Sequence, residues 1–568
     1  MLFNSLYRFG TRTFRSADPE TLLVLAVFHI PMTLIFAVIL LKSMSWELVL
    51  DCPMFMYSGF LMDHFGMVPV RDFFTYNMIG THVIFRWLYH FFGGSILGMR
   101  LADTTILAVI LALFARVLKP FGFRVAWAGV VSFGILHITC GLHGPLQRDY
   151  IALVPLQLAI LSATVWFESN PRVRWIATGF FVGALSTIKP HLMLGGPVLY
   201  GYLLLDTRGT AALDWRAWTA RAVRIACWCA CGGCIPVLWM AAYLAYYGQL
   251  TVFVNVLIGY FPLHNDIKYS HTSNEHRIFE DGEALPYIAK HAFDYVAWTW
   301  RYQLALGTGT GLALFIAAPT VPKGLRKYGG LLAVLTLAYF LYPISAKRFY
   351  HYHYYPFSLL ISIWAAFCLY RWSSDTALRV RLCGLGVAAY VFAGMVYANY
   401  DTLQTTPTHG TGGYYRTVRI AQWLRTRLEP GDTVQGIEWA SCGIAHAFLE
   451  LQAKPATHTI WGEVLSHHIS NPFLKDYRRT FMEQLKASRP RFIVVSRIRY
   501  DYVVGRDCGR DFPELEAFLS SSYVPALESN DFRIWESNTS PTAARDRERH
   551  DQSTATPVPE SPRTTGEN

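Results

Sequence analysis

The stretch LVLDCPMFMYSGFLMDHFGMVPVRDFF, residues 48–74, decides how the rest of the chain is read. It follows an apolar run, Thr21 to Leu41, of about 20 residues, the length that crosses a hydrocarbon core. Asp51 then stands where that run would leave a bilayer. Phe55, Tyr57, Phe60 and Phe65 give the next residues the aromatic, amphipathic character of an interface, and Arg71 and Asp72 close the segment. A carboxylate is thus held at a membrane surface. The plainer reading of Asp51 is a cap for a helix starting at Pro53.

The composition agrees with a membrane protein. Of 568 residues, 53% are hydrophobic and 16% charged, and the mean hydropathy is +0.26, whereas a soluble domain carries about a quarter charged residues. The net charge is +11, but its Lys and Arg residues fall in short clusters between apolar runs. They form no single basic face, which argues against nucleic acid as a partner. The ten cysteines lie mostly inside apolar segments and define no secreted disulfide framework. Cys227, Cys229, Cys231 and Cys234 have the look of a thiolate metal site, yet within an apolar helix Cys behaves as a small hydrophobe. Cys442 and Cys508 are a candidate external disulfide. The first apolar run is too long for a signal core and reads as an anchor.

Further apolar runs lie near 77–97, 101–118, 125–143, 150–168, 174–189, 191–205, 222–247, 302–320, 328–346, 353–371 and 380–399. Were all of them to cross, the basic loop Arg116–Lys119–Arg124 would fall outside while Arg8, Arg12 and Arg15 hold the N-terminus inside, against the positive-inside tendency. The run 77–97 is the weakest span, because His82, Arg86 and His90 recur four apart on one stripe; it is expected to be an interfacial helix. About eleven spans then remain. Five basic loops become cytoplasmic at once, and the loops 43–100 and 248–301 become external.

The expected organisation is therefore an α-helical polytopic membrane module over 1–400, an external soluble α/β domain over 401–540 and a disordered tail over 541–568 rich in Ser, Thr, Pro and charge. In the α/β domain, helical patterns at Tyr414–Leu428 and Asn471–Ser488 each precede a strand pattern, Thr433–Trp439 and Arg491–Ile498. The expected location is a plasma (inner) membrane, with the N-terminus cytoplasmic.

Several elements in one order carry a resemblance. Asp51 follows the first span, Tyr57 and Gly59 come after it, and PVRDF ends the loop at 69–73. Then come Gly98–Arg100–Leu101, the Gln147–Arg148–Asp149 turn opening a span, TIKP at 187–190, and KRFYHYHYYP at 347–356 before a late span. This series resembles the GT-C superfamily of polyprenyl-phosphate-sugar-dependent glycosyltransferases, in particular the branch with protein O-mannosyltransferases and lipid A aminoarabinose transferases. The sequence departs from better-known branches at Gln147–Arg148–Asp149, where many relatives have an Arg followed by a Glu. The paired Trp and Asp of oligosaccharyltransferases is absent.

The resemblance implies a hexosyl- or pentosyltransferase that moves a sugar from a polyprenyl-phosphate donor to a glycan, lipid or protein acceptor on the non-cytoplasmic face. Such a reaction needs a carboxylate to take the acceptor's proton and cations to stabilise the departing phosphate. Asp51 is the expected base and Asp72 the second choice. Arg71, Arg148, Lys189, Lys347, Arg348 and His351 are the expected phosphate partners, with Tyr350 and His353 as further donors. Asp72 and Asp149 have a plainer reading as partners of the Arg beside each. No cofactor is expected; His351 and His353 alternate in a way that would turn them apart on a helix, so a metal is not indicated. The competing classes are a transporter or flippase of lipid-linked or anionic solutes, and a surface-polysaccharide polymerase or ligase.

Overall fold

The computed structural model describes residues 30–49, 51–206, 215–266, 268–269, 307–313, 321–345, 350–367, 412–438, 443–497, 503–504 and 512–539, with a few single residues outside these ranges. The expectations for Lys347, Arg348, Cys442, Cys508, the N-terminal arginines, most of the 248–301 loop and the tail after 540 lie outside the described residues. The chain divides into two compact units. One takes Met1–Gly66, Tyr76–Val254 and Glu275–Thr411, the other Met67–Thr75, Asn255–Asn274 and Gly412–Asn568.

Among the described residues the first unit is helical throughout. Helix α1 (Ile30–Ser43) ends in a buried, non-helical segment containing Trp46, Glu47 and Leu48. Only then does α2 (Asp51–His64) begin, with Asp51 in its first turn. Asp51 therefore does not sit at the exit of the first apolar helix, as its place in the sequence suggests. The intervening turn is held because Arg100 takes the Trp46 and Glu47 carbonyls, at 2.8 and 3.0 Å. Every residue of α2 from Cys52 to Met62 is buried within the protein. Gly59 is one reason. A Cβ there would stand 2.4 Å from the carbonyl oxygen of Phe85, so only glycine lets the next helix, α3 (Ile79–Phe92), pack this closely.

The polar stripe of α3 borders α2, buried at His82 and exposed at Arg86 and His90. His82 is buried on the Ser58 hydroxyl at 2.9 Å, and Asp63 draws in Arg86 at 3.6 Å and His90 at 3.2 Å. Then follow α4 (Ile96–Leu118), α5 (Phe123–Thr139), the single turn α6 (Arg148–Ile151), α7 (Leu153–Thr164), α8 (Pro171–Ile188), α9 (Gly196–Leu205), α10 (Trp215–Tyr246), α11 (Lys323–Ser345) and α12 (Tyr355–Phe367). Caps set the starts of two of them, Ser95 accepting from Gly98 N before α4 and Asn170 from Val173 N before α8, where Pro171 also occupies the first turn.

Helix α4 with the 3-10 turn after it, Ile96–Phe121, and α10 are each long and apolar enough to cross a membrane. Helix α10 is inside-out by the standards of a soluble protein, with Leu238 64% and Tyr246 83% exposed. Its inner face is built of small residues. A Cβ on Gly179 of α8 would lie 1.9 Å from the Cys229 carbonyl oxygen, and one on Gly183 would lie 2.2 Å from that of Gly233. The cysteines thus belong to a helix–helix seam and its outer rim, with Cys227, Cys231 and Cys234 exposed.

The second unit holds a five-stranded sheet of β1 (Thr433–Ile437), β2 (Lys454–Pro455), β3 (Phe492–Ser496), β4 (Tyr523–Glu528) and β5 (Phe532–Ser537), in the order β2-β1-β3-β5-β4. Strand β1 runs parallel to β2 and β3, with Val434 opposite Phe492, while β5 is antiparallel to both β3 and β4. The helices α13 (Gly412–Arg425), α14 (Ile444–Leu451), α15 (Pro472–Ser488) and α16 (Pro513–Ser522) alternate with these strands. Helix α15 starts on the Asn471 cap and buries Leu474, Tyr477, Phe481, Met482 and Leu485, one stripe at the helical period. The segment expected to be one long loop from 248 begins instead with helices Leu250–Gly259 and Phe261–Asp266.

Candidate active site

In the first unit, polar residues from four elements meet around Asp149. The α6 turn places Arg148 and Asp149 on consecutive positions, which a helix points about 100° apart, so they do not pair with each other. Asp149 pairs instead with Lys189. Pro190 bars the residue before it from helical conformation, and Lys189 is extended at φ −156° and ψ 108°, ending α8. Its ammonium donates to both Asp149 oxygens at 3.0 and 2.8 Å, and the Tyr342 hydroxyl of α11 donates to Oδ1 as well. The Tyr342 ring also lies 5.5 Å from Lys189 Nζ. Lys189 and Asp149 are buried, and their charges compensate each other there.

Arg148 is turned the other way. Its guanidinium donates to the Asn77 side-chain oxygen and lies over the Phe55 ring at 5.2 Å. Its hydrogen bond thus goes to a neutral amide, and its positive charge is not neutralised by that partner. Tyr352, in the 3-10 turn His351–Tyr354, is within electrostatic reach of Asp51, Asp149 and Arg148 together. His353, buried, is within reach of Asp149 and packs its ring 6.2 Å from that of Tyr342. Asp51, Arg148, Asp149, Lys189, Tyr342, Tyr352 and His353 are therefore one cluster. In such a cluster a carboxylate can take a proton and a guanidinium can hold an anion.

The remaining expected site residues stand as follows. Arg71 and Asp72 belong to the second unit. There the Arg71 Nε donates to Asp72 Oδ1 at 2.9 Å and Nη2 to Oδ2 at 2.7 Å, and Asp72 also accepts the Val68 amide at 2.7 Å. Against its partial burial, these bonds and the charge of Lys454 hold the Asp72 carboxyl below its usual range. Its plainer reading, as the partner of the Arg beside it, describes this geometry. The backbone of His351 opens the 3-10 turn, and its side chain is outside the described residues.

In the sequence nothing but amide or aromatic character marks Asn77 and Tyr342, and Tyr352 is one of several tyrosines in the 347–356 segment. Asp103 and His137 lie inside apolar runs, where ionisable groups are costly to bury, and that cost is the signal that marks them.

No family model matches the chain, and no curated protein matches it. Among solved structures, ArnT from Cupriavidus metallidurans bound to undecaprenyl phosphate superposes with a TM-score of 0.57 at 13% identity, covering 89% of this chain and 97% of that one. The same protein in the apo state gives 0.56 at 13% identity, over 90% and 97%. The chain shares the fold of these structures, and most of its described residues are helical.

Proposed function

We propose that this chain of GT-C fold is a membrane glycosyltransferase that takes its sugar from a polyprenyl-phosphate donor on the non-cytoplasmic side. The observation that carries the reading is that Arg148 and Asp51 both lie within electrostatic reach of Tyr352, on a fold shared with a protein solved with undecaprenyl phosphate. Eleven spans, a cytoplasmic N-terminus and an external second unit complete it. The exposed apolar face of α10 and the basic loops support that topology.

In the reaction, the acceptor oxygen attacks the anomeric carbon and the bond from that carbon to the phosphate oxygen breaks. Asp51 takes the acceptor's proton, and polyprenyl phosphate leaves with the bonding electrons. Arg148, together with Lys347 and Arg348, stabilises the charge that grows on the phosphate. Lys189 acts within its pair: by neutralising Asp149 it keeps the site's field positive for the phosphate.

The test is purified full-length chain in lipid nanodiscs, given radiolabelled polyprenyl-phosphate sugars. Release of polyprenyl phosphate that depends on an acceptor supports the reading. Failure of the chain to bind undecaprenyl phosphate, or its passage of the lipid across a vesicle bilayer without loss of the sugar, would favour the transporter class instead.

A further inference from the structure

We infer that Arg100 and Asp103, one turn apart on α4, are positioning residues that fix the two backbone segments on which Asp51 and the Arg148–Asp149 turn are carried. Both are buried charged groups in an apolar helix, 2% and 5% exposed, where an unused charge is costly. Yet they are not chiefly occupied with each other, for their nearest approach is 3.9 Å. Both of Arg100's hydrogen bonds and one of the Asp103 carboxylate's go to backbone. Arg100 Nε and Nη2 donate to the carbonyls of Trp46 and Glu47, which set the course of the chain into Asp51.

Asp103 holds the other segment at two points. Its Oδ1 accepts the Leu146 amide at 3.3 Å, and its main-chain oxygen accepts the Tyr150 hydroxyl at 3.2 Å, so it brackets Gln147, Arg148 and Asp149. Leu146 has φ +54°, a conformation that a leucine keeps only where its surroundings hold it. The Asp103 carboxylate is in turn fixed by His137, whose Nε2 is 3.2 Å from Oδ2. A carboxylate only accepts, so Nε2 donates to it, while Nδ1 is 3.0 Å from the Tyr355 hydroxyl. The His137 ring stacks on Tyr150 at 4.1 Å and 14°. One helical turn of α4 thereby ties the backbone of the proposed base to that of the proposed phosphate ligand. What these segments do rests on the glycosyltransferase reading; that they are held does not.

The experiment uses the full chain in lipid nanodiscs and two measurements, hydrogen exchange and binding of undecaprenyl phosphate. Arg100→Gln is expected to speed exchange at residues 44–52, and Asp103→Ala at 144–152, by roughly tenfold or more, each with little change in the other helices. Asp103→Leu, which keeps about the volume but offers no acceptor to the Leu146 amide, replaces the alanine variant if that does not fold. The Asp103 variant is also expected to weaken undecaprenyl phosphate binding roughly tenfold. Adding Arg148→Ala should then cost nothing beyond Arg148→Ala alone, because both act through one contact. Unchanged exchange in those segments, a general rise across α4 and α5, or binding losses that multiply would each overturn the inference. If the unmutated chain binds no undecaprenyl phosphate, the donor reading fails, and the exchange data by themselves decide the role of Arg100 and Asp103.

Discussion

Lys189 and Asp149, 40 residues apart in sequence, are joined in the fold by two hydrogen bonds of 3.0 and 2.8 Å inside the helical unit. Removing one member of such a pair leaves the other charge buried and alone, which costs about 3–5 kcal/mol. Lys189→Met and Asp149→Asn are each expected to lower the thermal midpoint of the chain in detergent. The double variant, with no stranded charge, should lie above both. Midpoints unchanged in the single variants would show that the pair is not formed in the folded protein.

The base assignment is tested by sugar transfer with Asp51→Asn and Asp72→Asn side by side. Asparagine keeps the shape of the side chain but cannot take a proton, so Asp51→Asn should lose on the order of 10² to 10⁴ in rate. Asp72 spends its oxygens on Arg71 and the Val68 amide, and its variant should retain activity. Loss in the second variant and retention in the first would move the base to Asp72, and retention in both would end the carboxylate mechanism.

The contact between α8 and α10 has no room for a methyl group at Gly179, where a Cβ would meet the Cys229 carbonyl at 1.9 Å. Gly179→Ala should destabilise by about 1–3 kcal/mol, as overpacking does. The control is Gly201→Ala, at a site where a Cβ meets nothing within 4 Å. Equal melting of the two variants in detergent would contradict the close seam.

In the second unit, burial pushes the His446 imidazole down from its ordinary 6.5 to about 4. Between these values the unfolded chain takes up a proton that the folded chain refuses. Stability should therefore be level above pH 6.5 and fall as the pH drops toward 4, by up to about 1.4 kcal/mol per pH unit from this one group. His458, also pushed down by burial, adds to the same trend. Denaturant titrations of the full chain at several pH values, reading protease sensitivity of the second unit, should give a shallower slope for His446→Gln. An identical slope would exclude His446 as a contributor.

What the sequence determined by itself was whatever depends on local pattern. Apolar runs of helical length and the basic clusters between them mark the helices because each is written within a few residues. The period of Leu474, Tyr477, Phe481 and Leu485 marks the buried face of α15 for the same reason. Order and spacing of Asp51, Gly59, Arg148 and Lys189 also sufficed to suggest the GT-C fold. The partners of the charges were not legible. Asp149 stands beside Arg148 in the sequence but pairs with Lys189, because successive side chains on a helix diverge and Pro190 turns Lys189 out of α8 toward it. Asp103 reads as a stray charge in an apolar run until α5 brings His137 to it and the loop before α6 presents the Leu146 amide. Such pairings are settled by the low dielectric of the packed interior, where each buried charge must find a partner and only the fold decides which ones are in reach.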